Sequence, residues 1–150
     1  MSLAPSLAQT SPLRLGRAGR IALWAVQIAV AGMFLLAGGS KLFGAAAMVA
    51  MFDAIGIGQW FRYVTGLVEV SSAVALLVPS FAVLGAVALV TTMIGAVATH
   101  LFIIGGSPAM PTILLLGSAI VVWARGRQLL GDQHTARDGS DTAHVNGGSK

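Results

Sequence analysis

The chain has 150 residues, of which 56% are hydrophobic and 9% charged, with no cysteine and a formal net charge of +4; its mean hydropathy is +0.85 and its isoelectric point about 10.8. A soluble domain carries about a quarter charged residues, and the apolar content here exceeds what one small core hides, so composition selects an integral membrane protein. Missing cysteine excludes disulfide exchange, iron–sulfur ligation and thiolate zinc sites held by this chain alone, and basic residues that flank apolar runs, with no stripe of interleaved aromatics, argue against a nucleic-acid partner.

Arg14, Arg17 and Arg20 form a basic segment over residues 1–20, and the first span follows from about Ile21 to Ser40, twenty residues without a charge. Its glycines, Gly32, Gly38 and Gly39, offer close backbone approach to a neighbouring helix. The same stretch resembles a secretory signal, but it exceeds the usual apolar length of about 7 to 15 residues and Lys41 follows at once, which favours a retained span. Gly44 to Trp60 is too short for a span with its own turns; Met48, Met51, Phe52 and Ile55 recur at helical spacing, the pattern of an amphipathic helix at an interface.

The second span begins near Tyr63 and ends at Val78, before Pro79 and Ser80. The third runs from Phe81 to about Phe102, and Gly105, Gly106, Ser107, Pro108 and Pro111 punctuate the chain before the fourth, Pro111 to Arg125. Trp60 and Tyr63 mark one headgroup level, Trp24 and Trp123 the other. Short connections make neighbours antiparallel, so the expected fold is all-α: a four-transmembrane-helix antiparallel bundle over 21–127 with an interfacial segment between helices 1 and 2. Residues 128–150, rich in Gly, Ser, Asp and Thr from Gly131 onward, read as a disordered polar tail. Arginines before the first span and after the last (Arg125, Arg127) place both termini in the cytoplasm of a multi-pass inner-membrane protein in contact with the lipid bilayer.

Between Arg62 and Arg125 the one side chain charged at neutral pH is Glu69. A carboxylate at a helix centre costs about 2.5 to 3.5 kcal/mol on insertion scales, so it needs a partner or a task. With the N-terminus inside, Lys41 ends span one at the outer face, Arg62 opens span two there, Glu69 lies about 10 Å deeper at 1.5 Å per residue, and His100 ends span three outside. The inner half is expected to hold only neutral polar groups such as Gln27. On span two Arg62, Thr65, Glu69 and Ser72 share a face; on span three Thr92, Ala96, Thr99 and His100 do.

Two readings follow. In one, Glu69 pairs with Lys41 or Arg62 and locks helix register, a structural or assembly role without enzymatic activity. In the other, Lys41, Glu69 and His100, with Arg62, Thr65, Ser72 and Thr99 as secondary candidates, line a ligand- or proton-handling pocket; a quinone head group has two carbonyl oxygens that would need donors such as Lys41 and His100. Taken singly, His100 reads as an interfacial residue, Arg62 as an interface anchor, Asp53 as a solvated charge, and the methionines as packing. No His or Cys spacing matches a metal site, His134 and His144 in the tail included. A small-solute transporter has less support, because four helices leave little room for a pathway unless the protein forms a homo-oligomer.

The runs Phe34-Leu35-Leu36-Ala37-Gly38-Gly39-Ser40-Lys41-Leu42, Gly66-Leu67-Val68-Glu69-Val70 and Gly95-Ala96-Val97-Ala98-Thr99-His100 together resemble the DoxX-like family of small bacterial membrane proteins, over about residues 21 to 127. The resemblance implies a four-helix membrane protein related to membrane subunits of quinone-linked oxidoreductases and to partners in redox-stress complexes. Its Gly-x-x-Lys-Leu element falls on Gly38, Lys41 and Leu42, its Gly-Leu-x-Glu element on Gly66, Leu67 and Glu69, and its late histidine on His100. Redox-active relatives carry a cysteine pair that is missing here. The combined expectation is an accessory or membrane subunit of a redox complex with a polar outer-leaflet pocket that receives quinone, no covalent cofactor, a redox partner subunit, and no catalysis of its own.

Overall fold

Four apolar stretches do form helices long enough to cross a bilayer: Arg17–Leu42, Gln59–Leu77, Ala82–Ile104 and Ala109–Gln128. The computed structural model describes residues 16–146, with side chains through Gln128; Arg14 and the side chains of His134 and His144 lie outside the described residues. In chain order the elements are α1 (Arg17–Leu42), α2 (Ala46–Ile55), α3 (Gln59–Leu77), α4 (Ala82–Thr99) running into a π-helical turn (His100–Ile104), and α5 (Ala109–Asn146). The spans extend the expected ones by a few residues at most ends, because helix caps fall in the polar flanks and not at the hydropathy edge.

The backbone of α5 does not stop where the apolar sequence does. It continues as helix to Asn146, where the sequence reading expected a disordered polar tail over 128–150. Adding a residue to an existing helix forms one hydrogen bond without a new nucleus, so polar sequence can follow an apolar span in the same conformation.

Around the bundle, α1 packs along α3, α3 along α4 and α4 along α5, and α5 closes the ring against α1; α2 lies across one end, against α3 and the π-helical turn. We call that end the α2 side and the other the Arg125 side. The core is formed by Val30, Ala31 and Phe34 of α1, Ala73 and Leu76 of α3, Ala86, Leu89 and Met93 of α4, and Val121 of α5. Large apolar side chains also point outward on every long helix, among them Leu36, Leu67, Leu84 and Leu116. An apolar exterior of this extent is what hydrocarbon solvates and water does not, and the chain is a multi-pass membrane protein. Because α1 supplies three core side chains, it is a structural member of the bundle, as expected of a retained span.

Small residues set the spacing. A Cβ at Gly85 would lie 2.6 Å from the Ser72 carbonyl oxygen and 2.7 Å from the Leu76 nitrogen, so α3 and α4 cross backbone to backbone there. Gly32 and Gly39, expected to serve the same purpose on α1, face open space; Gly38 alone of the three is in close contact. Three successive helical positions per turn point in different directions, and a glycine run does not say which one meets the neighbour.

The Arg125 side is not served by neutral groups alone. Fully buried Gln27 donates to the Leu76 carbonyl (2.8 Å) and accepts from Arg125 through Nε (3.0 Å) and Nη2 (2.7 Å). Arg125 also lies over the Trp24 ring, 5.1 Å from its centroid. The expected all-neutral inner half is thus corrected: a residue 98 positions further along reaches back over the helix end. Its guanidinium is held between the Gln27 amide oxygen and the Trp24 ring, as a long cationic side chain covers apolar surface with its stem and keeps its head among polar partners.

Candidate functional site

The site begins with the α1–α3 contact. A Cβ at Gly38 would stand 2.8 Å from Val70 Cγ2 and 2.9 Å from the Gly66 carbonyl oxygen; one at Gly66 would stand 3.0 Å from the Gly38 carbonyl oxygen and from Lys41 Cβ. Each glycine therefore sits in the other's backbone, and each is followed three residues later by a charged side chain, Lys41 and Glu69. Positions i and i+3 lie on one helix face. The reciprocal glycine contact consequently brings the amine and the carboxylate together, and Lys41 Nζ meets Glu69 Oε2 at 2.6 Å. Glu69 is 2% and Lys41 14% exposed along their side chains.

Of the two candidate partners for Glu69, Lys41 is the one it engages. Arg62 is used elsewhere: its Nη1 donates to the Lys41 carbonyl in the last turn of α1, and its Nε donates to Gln59 Oε1 (2.7 Å). A cation on the final carbonyls of a helix complements their partial negative charge. Arg62 is only 4% exposed, so it is a buried clamp and not the interface anchor expected; its head has acceptors on the α1 terminus and at Gln59 and lies over the Tyr63 ring. Gln59 extends the clamp, donating to the Val49 carbonyl (2.9 Å) and to Asp53 Oδ1 (2.7 Å) on α2. Asp53 is exposed, as expected, but it also holds α2 in place.

Under α2 a cavity of about 730 Å³ opens between α1, α3, α4 and the start of α5. It is lined by Lys41, Thr65, Glu69, Thr99 and His100 among the candidates; Arg62 and Ser72 do not reach it. Ser72 is buried toward α4, whose Gly85 rests on its backbone. The shared face of α3 is thus split by depth: its middle turns line the cavity, and its ends serve packing and the clamp.

His100 stands where α4 changes to π-helical winding, an irregularity frequent at functional sites. Its Nδ1 lies 2.9 Å from the Ala96 carbonyl. A carbonyl only accepts, so Nδ1 carries the hydrogen in that contact, and in the uncharged form of the ring Nε2 is the acceptor. The wider turn ends at Gly105, whose backbone (φ 69°) returns a hydrogen bond to the His100 carbonyl over 3.0 Å.

Sequence reasoning missed a further feature of the wall. Five of the six methionines, Met33, Met48, Met51, Met93 and Met110, line the cavity, where packing alone had been expected for them. Met48 and Met51 carried a signal, their helical spacing on α2, but Met33, Met93 and Met110 come from three other helices and share no spacing. Unbranched, polarisable thioethers make an apolar wall that adapts to the shape it meets. Gly95 also lines the cavity, and a Cβ there would meet nothing within 4 Å. Among the described residues no three His, Cys, Asp or Glu side chains form a metal-holding group.

A family model described as the DoxX-like family matches residues 25–128, the span that contains α1 from its third turn, the helix α2 over the cavity, the cavity and the apolar part of α5. No curated protein and no solved structure matches the chain.

Proposed function

The chain belongs to the DoxX-like family, and on that premise we propose that it is an accessory membrane subunit which receives a small uncharged amphiphile, a quinone-type head group in the first instance, in the cavity beside Lys41, Glu69 and His100. It serves a redox partner by holding the head group and handling its protons, and the electron chemistry belongs to that partner. The proposed setting is the inner membrane, with both termini cytoplasmic and the cavity in the outer leaflet.

One observation carries this reading: a Lys–Glu pair that is neutral as a unit and an imidazole are the ionisable groups on the wall of a cavity of about 730 Å³ whose other walls are mostly apolar. Pockets of about 300 to 1,000 Å³ with a few convergent polar groups on apolar walls are the usual form of small-molecule sites. Because the pair compensates itself, a charged ligand would leave a net charge in hydrocarbon, and an uncharged one does not.

Photo-crosslinking with an azido-quinone in proteoliposomes tests it. Labelling is expected on peptides from α1, α3 and α4 that line the cavity and is expected to vanish in Gly95→Phe, whose Cβ starts from open space on the cavity wall. Labelling that persists in that variant, or falls only on the outer surface, overturns the site. A redox partner is expected to co-purify in mild detergent.

A structural role for the ion pair is favoured by its short, direct contact. Replacing Lys41 and Glu69 together by Met and Leu separates the two readings: a stable protein with unchanged crosslinking assigns the pair to helix register alone.

A further inference from the structure

The hydrogen bonds along the cavity wall run in one direction, and that direction bears on which head group fits. Six polar side chains that line the cavity spend their hydrogens on the backbone of their own helix. Ser40 donates to the Ala37 carbonyl (2.8 Å), Thr65 to those of Phe61 and Arg62 (3.1 and 3.0 Å), and Thr91 to Val87 (3.0 Å). Thr92 donates to Ala88 (2.9 Å), Thr99 to Gly95 (2.9 Å), and His100 Nδ1 contacts Ala96 (2.9 Å). A hydroxyl has one hydrogen and two lone pairs, and a neutral imidazole has one N–H and one lone pair. With the hydrogens committed, these groups offer acceptors. Glu69 accepts as well, and Lys41, one of whose hydrogens is held by Glu69, is the donor that remains.

We propose that the cavity selects head groups that donate hydrogen bonds, phenolic or alcoholic O–H, over head groups of the same shape that only accept them. The inference rests on the cavity being a ligand site and deepens it: within the quinone class it assigns the site to the reduced, hydroquinone form. A hydroquinone O–H finds an unused lone pair at His100 Nε2, on a threonine or on Glu69, and its oxygen still accepts from Lys41. A quinone carbonyl can use the Lys41 hydrogens that Glu69 does not hold, but the second carbonyl, across the ring, must turn a hydroxyl away from its own helix to find a donor. That exchange breaks a bond of about the same strength as the one it makes and leaves a helix carbonyl without that partner.

The test compares three probes of nearly equal size, trimethylhydroquinone, trimethyl-p-benzoquinone and the hydroquinone's dimethyl ether, binding to the full chain in nanodiscs. It is done by anaerobic titration calorimetry, with Gly95→Phe nanodiscs subtracting partition into lipid. The hydroquinone is expected to bind at least fivefold more tightly than either of the other two. Its advantage over the other two probes is expected to shrink at least twofold in His100→Phe and in Thr99→Val, a change of ratio that a purely structural role, which would weaken all three probes alike, would not produce. A ratio below fivefold, or a preference for the quinone, overturns the donor selectivity and leaves the cavity as a ligand site. No Gly95→Phe-sensitive binding of any probe overturns the ligand site itself, and the selectivity with it.

Discussion

Gly85 and Gly95 lie ten residues apart on α4, and they report two kinds of interior. At Gly85 a methyl group would strike the α3 backbone at under 3 Å; at Gly95 it would meet nothing within 4 Å. Toward the Arg125 side the bundle is filled by core side chains, and a buried amide, Gln27, has partners at both ends of its head. Toward the α2 side the helices stand around a cavity, and the polar groups there are bonded on one flank and bordered by space on the other. Hydrocarbon penalises an unsatisfied polar group at either depth. The packed half meets that constraint by closing; the open half meets it by turning hydrogens back to the backbone and pairing opposite charges, which leaves room for a guest.

The contrast breaks most severely if a single charge is stranded at the edge of the cavity. Lys41→Met leaves Glu69 buried and unpaired, and a loss of about 3 kcal/mol or more is expected in detergent unfolding. The double variant with Glu69→Leu is expected to recover most of it, since a membrane polar pair is worth only about 0.6 kcal/mol on average. A double variant no more stable than the single would show that the glycine contact needs the ion pair.

Next in size is the glycine contact. Gly38→Ala forces Val70 and the α3 backbone to shift and is expected to cost about 1 to 3 kcal/mol. Gly39→Ala, one position away in open space, is expected to be neutral or stabilising by up to about 1 kcal/mol, from the lower helix cost of alanine. Equal effects at the two positions would contradict the assignment of the α1 face.

On the packed half, Gln27→Leu removes the donor to the Leu76 carbonyl and the oxygen that accepts two hydrogen bonds from Arg125. About 1 to 2 kcal/mol is expected in the same unfolding assay, with ligand binding unchanged because the change lies away from the cavity. The smallest stability effect is expected at Gly95→Leu, near zero by thermal unfolding, accompanied by loss of ligand binding. A strongly destabilised Gly95→Leu would mean that the open half is packed in the membrane after all.

Much of the fold was legible without coordinates, and the reasons are local. The number of spans, their order and the short connections at Pro79 and at Gly105 to Pro111 follow from apolar length and from residues that break helices. Lys41, Glu69 and His100 could be singled out because an ionisable group near the depth of hydrocarbon is conspicuous in a sequence this apolar. Arg62 was misjudged because its role depends on where α1 ends in space, and Gly39 because two adjacent glycines are equivalent until a neighbour selects one of them. The methionine wall had no sequence signature at all: its members come from four helices and meet only when the bundle forms.

Apolar content and periodicity by themselves determined that this chain crosses a membrane as antiparallel helices and that a carboxylate is carried into it, since both follow from the cost of transferring each segment into hydrocarbon. Which amine that carboxylate meets, that α2 is clamped over a cavity, and which hydroxyl-bearing residues line it were decided only in three dimensions. Contacts between residues 28 or 98 positions apart depend on how helices approach and rotate, and no local pattern encodes that geometry.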